Sequence, residues 1–320
     1  MPLVGGSSSV ILYIPDGTNT YKIKLPMKSE SINPKYNSVV SSEALLGQRA
    51  PKGTYIGQLT YEGSIEVELF DLTYTTSTSG YKHALLGLLF LSIFGQYSSD
   101  TVSLNNSSGQ KLPAVIVNHG GSSITYLDVY VTSLRVSFTT DGIATATLDV
   151  RARATGSYTE GTIKDLTSLN YVNPYTAKNI AVKVGSNNVT TKVSRFELNI
   201  SQDVIDYYTF GSLNAQGISA SRFGMAEVTI EYYPDSVSTI DLDAALNSAF
   251  TSGTASASGI TVEIASPSSD TIKATLTLSN AFVTEYTHDI NGKEYITSTL
   301  SLQVSPDNIT LSGVDIDPTA

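Results

Sequence analysis

The stretch QLTYEGSIEVELFD, Gln58–Asp71, decides the fold class because apolar and polar residues alternate along it. One face carries Leu59, Tyr61, Gly63, Ile65, Val67 and Leu69, and the other carries Thr60, Glu62, Ser64, Glu66 and Glu68. Successive side chains of a strand point to opposite faces of a sheet. The stretch therefore predicts a long, half-buried strand with a carboxylate-rich outer face.

A β-hairpin is predicted further along the chain. TTDGIATATLDVRAR, which starts at Thr139, contains an Asp-Gly turn followed by strict alternation from Ala144 to Ala152. In the preceding run, YLDVYVTSLRVSF, the apolar positions change parity near Thr132 and Ser133. Such a change indicates a β-bulge in the first strand of the hairpin.

The same order of elements occurs a second time. GMAEVTIEYYPD, which starts at Gly224, alternates like the opening stretch, and we align Gly224–Tyr232 with Tyr61–Leu69. EYITSTLSLQVS shares a Thr-x-Thr-Leu core with the hairpin, and AALNSAF (Ala244–Phe250) lies where ALLGLLF lies in the first copy. These repeats predict a tandem duplication. The predicted parts are a first domain over residues 1–158, a linker over 159–178 and a second domain over 179–320.

The most apolar segment, KHALLGLLFLSIFG (Lys82–Gly95), is too short to cross a membrane, which requires about 20 apolar residues. It predicts a helix that covers one side of the first β-domain. One domain buries only one stripe of a helix, so Leu91, Ile93 and Phe94 are predicted to contact a neighbouring domain or subunit. Serine at Leu91 and Phe94 is expected to weaken ring formation more than folding.

Composition limits the function classes. The chain has 320 residues, enough for two domains, and lacks cysteine, which excludes disulfides, thiolate metal sites and a cysteine nucleophile. A net charge of -10 argues against a basic DNA-binding surface. The N-terminus lacks the pattern of a secretory signal, so synthesis inside the cell is expected.

Motifs of catalysis are absent from the sequence. His83, His119 and His288 lie far apart without metal-ligand spacing, and no phosphate-binding or dinucleotide-binding glycine motif occurs. The NHGG turn that begins at Asn118 lacks the nucleophile elbow that accompanies it in esterases. The sequence predicts a protein that is not an enzyme and has no cofactor and no metal site.

Residues Val39 to Gly95 resemble the major tail tube proteins of long-tailed, siphovirus-like bacteriophages. That family has a Ser-Glu-x-Leu segment, an Arg/Pro turn, a Gly-Ser-Ile-Glu-x-Glu-Leu strand and a short apolar helix ending in Gly. The matching sequences here are SSEALLGQRAP, YEGSIEVELFD and HALLGLLFLSIFG. The predicted hairpin is similar to the closing hairpin of the family, whereas the second half lacks the Arg/Pro turn. The implied fold is mainly β, with two tandem tail-tube-type sandwich or barrel domains, each flanked by one short α-helix.

The resemblance implies a structural virion protein, made and assembled in the host cytoplasm. It would polymerise into stacked rings that form the hollow conduit for ejection of viral DNA. Three duplicated chains would form a ring with pseudo-six-fold symmetry. Implied partners are other copies, tape measure protein and viral DNA inside the lumen, and tail terminator and tail-tip proteins at the ends, with no membrane.

The resemblance also suggests which segments make contacts. Rings of this family stack through a long loop and terminal arms, here Ser41–Gly53, Met1–Leu25 and Pro306–Ala320, and the last is expected to be mobile in a free subunit. The candidate inter-subunit residues in the loop are Glu43, Leu45 and Arg49.

A lumen that conducts DNA is expected to avoid cations, because each Lys or Arg contact to phosphate adds affinity. The candidate lumen residues are Glu62, Glu66, Glu68, Thr145, Thr147, Glu227, Glu231, Thr297 and Thr299. The same faces fit an outer wall equally well. The alternative function is a two-domain β-sandwich decoration, receptor-binding or adhesion protein, which would form discrete oligomers instead of tubes.

Overall fold

The computed structural model describes residues 8–40, 54–73, 83–105, 110–184, 187–188, 193–209, 215–233, 256–257, 259–267, 269–291 and 295–316. These residues form 24 strands and one α-helix, α1 (Ala84–Phe94). The strands of the first half are β1 Ser8–Pro15, β2 Thr20–Leu25, β3 Met27–Glu30, β4 Asn33–Val40, β5 Thr54–Glu68, β6 Phe70–Thr73, β7 Gly95–Ser98, β8 Thr101–Leu104, β9 Lys111–His119, β10 Ser122–Thr139 and β11 Thr145–Thr155. The later strands are β12 Ile163–Asp165, β13 Asn170–Pro174, β14 Ile180–Val184, β15 Asn187–Asn188, β16 Val193–Tyr207, β17 Gly217–Phe223, β18 Ala226–Tyr232, β19 Ser256–Ala257, β20 Ile260–Ser266, β21 Ser269–Leu278, β22 Ala281–Asn291, β23 Tyr295–Val304 and β24 Ile309–Ser312. Short 3-10 helices cover Ala177–Asn179 and Pro306–Asn308. The predicted mainly β class is confirmed.

A 15-stranded sheet runs through both halves of the chain. Its central strands pair antiparallel in the order β5, β11, β10, β16, β18, β23, β22. Strand β10 is long enough to have two neighbours on one edge, β9 along Ser122–Tyr130 and β16 along Ser133–Thr139. We call the pairing of β10 with β16 the internal junction, because it joins the first half of the chain to the second.

The predicted hairpin and its repeat have the same irregularity. In β10 the register shifts between Val131 and Ser133, which confirms the predicted bulge, and in β22 it shifts between Val283 and Glu285. In each bulge a threonine hydroxyl donates to a backbone oxygen across the hairpin. Thr132 Oγ1 donates to the carbonyl of Asp149 over 3.2 Å, and Thr284 Oγ1 donates to that of Ser301 over 3.1 Å. Corresponding residues in the two hairpins differ by 152 positions.

The pairing changes the predicted alignment of β5 with β18. Ile65 lies opposite Leu148, and Ile230 lies opposite the matching residue, Leu300. Ile230 is thus the counterpart of Ile65, whereas the sequence alignment matched Val228 to it. A slip of two residues leaves every side chain on the same face, so alternation alone does not fix the register. In the corrected alignment Glu62 matches Glu227 and Glu66 matches Glu231.

Helix α1 is enclosed by its own chain. It ends at Gly95, whose φ of 79° suits glycine and whose N–H bonds the carbonyl of Leu91. All eleven helical residues are buried. A Cβ on Gly87 would lie 2.9 Å from a methyl of Ile316, so the end of the chain packs closely on the helix.

Leu91, Ile93 and Phe94 each have 0% exposure in the single chain. A subunit contact requires exposed surface, so their prediction as inter-subunit residues is wrong. Phe94 instead packs near the ring of Phe223, at a centroid distance of 6.3 Å, which means that the second half supplies part of the cover.

The segments predicted as arms and linker are also part of the fold. Val10, Leu12 and Ile14 of β1 are fully buried, which contradicts an N-terminal arm. In the predicted linker, β12 pairs with β2 and β13 pairs with β6. The described part of the predicted C-terminal tail, residues 306–316, packs on the rest of the chain, because β24 pairs with β8 and both Val314 and Ile316 are buried. The domain limits at residues 158 and 179 remain predictions, and both the loop 41–53 and the predicted helix 244–250 lie outside the described residues.

A buried polar cluster joins three parts of the chain at the N-terminal end of α1. It contains Asp71, His83, Tyr175 and Ser266, each at most 1% exposed. The hydroxyls of Tyr175 and Ser266 both donate to the carboxylate of Asp71. Burial and the neighbouring Asp71 raise the pKa of Tyr175, so its hydroxyl stays protonated. Because that hydrogen is used toward Asp71, Nδ1 of His83, 2.7 Å away, is the donor to the tyrosine oxygen.

Candidate functional site

Six central strands of the large sheet present one continuous polar face. Residues that lie directly opposite each other in neighbouring strands project to the same side of a sheet. One such row, from β5 to β23, contains Glu66, Thr147, Arg135, Asn199, Glu227 and Gln303. The next row contains Glu68, Thr145, Ser137, Glu197, Thr229 and Ser301. We call this surface the polar face.

The opposite side of the same strands is the hydrophobic core. The adjacent row contains Val67, Ala146, Val136, Leu198, Val228 and Leu302. Each of these six residues is at most 3% exposed. A slip of one residue in any strand would expose its apolar row, so burial of the core fixes which residues form the polar face.

The structure brings the predicted lumen residues of both halves onto this single face. Glu62, Glu66, Glu68, Thr145, Thr147, Glu227, Glu231 and Thr299 all lie on it. The backbone of Thr297 lies two residues before Thr299 in β23, and its side chain lies outside the described part. Whether this face lines a lumen stays a prediction.

Sequence reasoning missed the contribution of β16, which carries Arg195, Glu197 and Asn199 on the polar face. The signal was present, because these residues alternate with the buried Phe196, Leu198 and Ile200.

On the polar face carboxylates outnumber cations, and each of these cations is paired with a carboxylate. On the six strands it carries the carboxylates Glu62, Glu66, Glu68, Asp149, Glu197, Glu227 and Glu231 and the cations Arg135, Arg151, Arg153 and Arg195. Arg153 pairs with Asp128 over 2.5 Å. Arg195 lies 2.6 Å from Glu197 and 3.1 Å from Glu231, and the bond to Glu197 raises the pKa of the arginine. Arg135 lies 3.4 Å from Glu197. Cations that are engaged by carboxylates are less available to phosphate groups.

Arg151 is the charged bridge between the two halves of the polar face. Its guanidinium pairs with Glu62 of β5 over 3.2 Å and with Asp206 of β16. The side chain of Asp206 is 6% exposed, and this burial raises its pKa despite the attraction of Arg151.

A recess of about 350 Å³ beside Arg151 is lined by Glu62, Ser64 and Asp149. The carboxylate of Asp149 already accepts hydrogen bonds from Ser64 and Ser133. Among the residues that the structure describes, no group of three or more acidic or histidine side chains has the arrangement of a metal site.

Counting only strands that the structure describes, the central path of the sheet has an open edge at each end. In the described part of the chain, β3 and β4 pair with β5 alone. At the other end, among the residues that the structure describes, β19 covers β22 only at Ala281 and Phe282, and Glu285–Asn291 pairs with β23 alone. Open edges offer backbone N–H and C=O groups to a further strand.

This chain is similar to several proteins of known structure. Solved structures similar to this chain include the sheath/tube terminator of an extracellular contractile injection system in its extended state, at 19% identity and a TM-score of 0.35, covering 42% of this chain and 93% of that one. Another is the tube-terminating cap of the anti-feeding prophage, at 16% identity and a TM-score of 0.37, covering 45% of this chain and 95% of that one. A comparison with curated proteins found no match. None of the helices in the described residues has the length and hydrophobicity to cross a membrane.

The family model for the phage tail tube protein matches residues 37–305 and so spans both halves of the large sheet. The chain belongs to the phage tail tube protein family.

Proposed function

We propose that this chain polymerises into stacked rings that form the hollow tail tube through which viral DNA is ejected. Its family membership makes it a structural protein of the virion. The single observation that carries the proposal is the large sheet, which joins two similar units edge to edge and, in the described residues, ends in two open edges. Head-to-tail contacts between different edges of a chain generate rings when the rotation closes.

The two units are proposed to be tandem copies of one tube domain. Besides the shared bulge at Thr132 and Thr284, the strands β3 and β16 have matching register shifts, between Met27 and Ser29 and between Val193 and Arg195. If each copy occupies one sixth of a ring, three chains complete it, with three internal junctions and three junctions between chains.

The polar face is proposed to line the lumen. The other side of the sheet is the core, where α1 packs on β10, so that side is already covered by the chain itself. In a closed ring of such sheets, the polar face is then the surface available to the channel. Its acidic surplus and paired cations would let DNA pass without being held.

The remaining partners belong to the same proposal. Tape measure protein and DNA would occupy the lumen, and tail terminator and tail-tip proteins would close the ends. Glu43, Leu45 and Arg49, in the loop 41–53, are proposed to contact the next ring. Assembly would take place in the host cytoplasm.

Negative-stain electron microscopy of the purified protein tests the proposal. We expect rings or hollow tubes as the protein concentration increases. Discrete globular particles at every concentration would contradict it and favour the decoration or adhesion alternative.

Lysine at both Thr147 and Thr299 tests the lining of the lumen. Each lysine would add a cation to the polar face, so we expect virions with this variant to release DNA more slowly, as followed with a DNA-binding dye. The delay should shrink as salt concentration rises, because contacts to phosphate release counterions. The control variant, Thr162→Lys with Ser168→Lys, adds the same charge at exposed positions away from this face. Equal release rates for the two variants would exclude the polar face as the lining.

A further inference from the structure

The internal junction supplies a template for the contact between chains. Within it, β10 pairs through Ser133–Thr139. The segment of β22 that lies 152 residues later, Glu285–Asn291, is the open edge described above. Strand β22 is therefore the counterpart of β10. In the described part of the chain, no strand pairs with Glu285–Asn291 in the way that β16 pairs with β10.

The other open edge is the counterpart of β16. The register shift at Met27 and Ser29 corresponds to that at Val193 and Arg195, a difference of 166 positions. The same difference matches Asn33, which lies opposite Glu62, with Asn199, which lies opposite Glu227. The difference of 166 positions is the same in β3 and at the start of β4. The counterpart of a residue of β16 in β3 or β4 is therefore found by subtracting 166 from its number.

We propose that β22 of one chain pairs antiparallel with β3 and β4 of a second copy, in the register of the internal junction. This inference rests on the proposed function, and it adds the identity of the two edges and the alignment of their residues. In the internal junction, Ser133 lies opposite Ser201. Their counterparts are Glu285 and Lys35, so a carboxylate of one chain lies opposite an ammonium of the next.

Both residues are suited to this contact. Glu285 lies opposite Ser301, and Lys35 lies two residues from Asn33, so both project on the polar side. Glu285 is exposed, and the side chain of Lys35 is 67% exposed while it pairs with Glu62 over 2.7 Å. Opposite charges that face each other across two strands stabilise the pairing, and like charges oppose it.

The charged residues also distinguish the two kinds of junction. The internal junction contains the ion pairs Arg135–Glu197 and Arg151–Asp206. At the counterpart positions the chain has Thr287 with Ser31 and Gln303 with Val40, none of which is charged. The internal ion pairs are thus absent from the contact between chains, which has the Glu285–Lys35 pair instead. Different pairs at the two junctions favour the correct order of edges.

Cysteine cross-linking tests the register directly, because the chain has no cysteine of its own. Directly opposed residues of antiparallel strands lie about 4.5 to 5.5 Å apart between Cα atoms, within the range that a disulfide spans. We expect assembled Glu285→Cys/Lys35→Cys protein to form, on oxidation, a ladder of covalent multimers that reduction abolishes. Because the ring closes, the ladder should end at the number of chains in it.

Two further variants serve as controls. Ser133→Cys/Ser201→Cys has the same geometry inside one chain and should form a disulfide without multimers. Thr287→Cys/Lys35→Cys reports a slip of two residues and should form no ladder. If wild-type tubes form but the ladder appears only with the slipped pair, or with neither pair, the proposed register is wrong while the tube function stands. If the wild-type protein forms neither rings nor tubes, the proposed function fails as well.

Discussion

Replacing Asp71 with alanine is expected to lower the free energy of unfolding by about 3 to 5 kcal/mol. The substitution removes the acceptor for the hydroxyls of Tyr175 and Ser266, both of which are buried. A buried donor that loses its partner retains the full cost of leaving water. Chemical denaturation, followed by the far-ultraviolet circular dichroism of the strands, measures the loss at a protein concentration below that of assembly.

The control for this prediction is Asp203→Asn. Asp203 also accepts from a side chain, that of Arg222, but the two side chains are 66% and 80% exposed. Exposed ion pairs contribute little, so we expect a change of about 0.5 kcal/mol or less. Similar losses for Asp71→Ala and Asp203→Asn would show that the buried cluster does not hold the three segments together.

Alanine at Phe94 is expected to destabilise the single chain by about 3 to 5 kcal/mol. The ring is fully buried between the rest of α1 and the second half, where it contacts Phe90 and Phe223. Truncation would leave a cavity that the closely packed surroundings fill only in part. Thermal unfolding of unassembled protein measures this loss of stability. The sequence alone predicts a different result, in which ring formation is weakened more than folding.

Phe282→Ala is the matched variant, because Phe282 is 42% exposed on β22. We expect it to change the stability of the single chain by about 0.5 kcal/mol. If the Phe94→Ala chain is stable but fails to form rings, Phe94 lies in the contact between subunits, and its burial in the single chain is contradicted.

Local patterns in the sequence were sufficient for individual strands. The alternation from Gln58 to Leu69 predicts β5, and the change of parity at Thr132 predicts the bulge of β10. Both features depend on a period of two residues, which any strand with one buried face must show. The candidate site could be predicted to the same extent in β5, β11, β18 and β23, where carboxylates and threonines alternate with apolar residues, but the same alternation in β16 was missed.

Long-range contacts could not be predicted in this way. A pattern with a period of two is unchanged by a slip of two residues, which is why β18 was aligned incorrectly with β5. The apolar run of α1 required burial on all sides, but nothing in its sequence indicated that Val314 and Ile316, at the far end of the chain, would cover Gly87. The pairing of β10 with β16 depends on edges that are 50 or more residues apart, and only the folded sheet connects them.

The internal junction also affects how quickly a ring can start. When two units are linked in one chain, their contact forms at an effective concentration set by the polypeptide and is independent of the protein concentration in solution. In the proposed ring, six linked units then require the meeting of three molecules, whereas a ring of six separate units requires six. The lag before tube growth would therefore depend much less steeply on protein concentration than in a tube built from single domains. Covalent linkage thus simplifies the kinetics of nucleation while leaving the geometry of the ring unchanged.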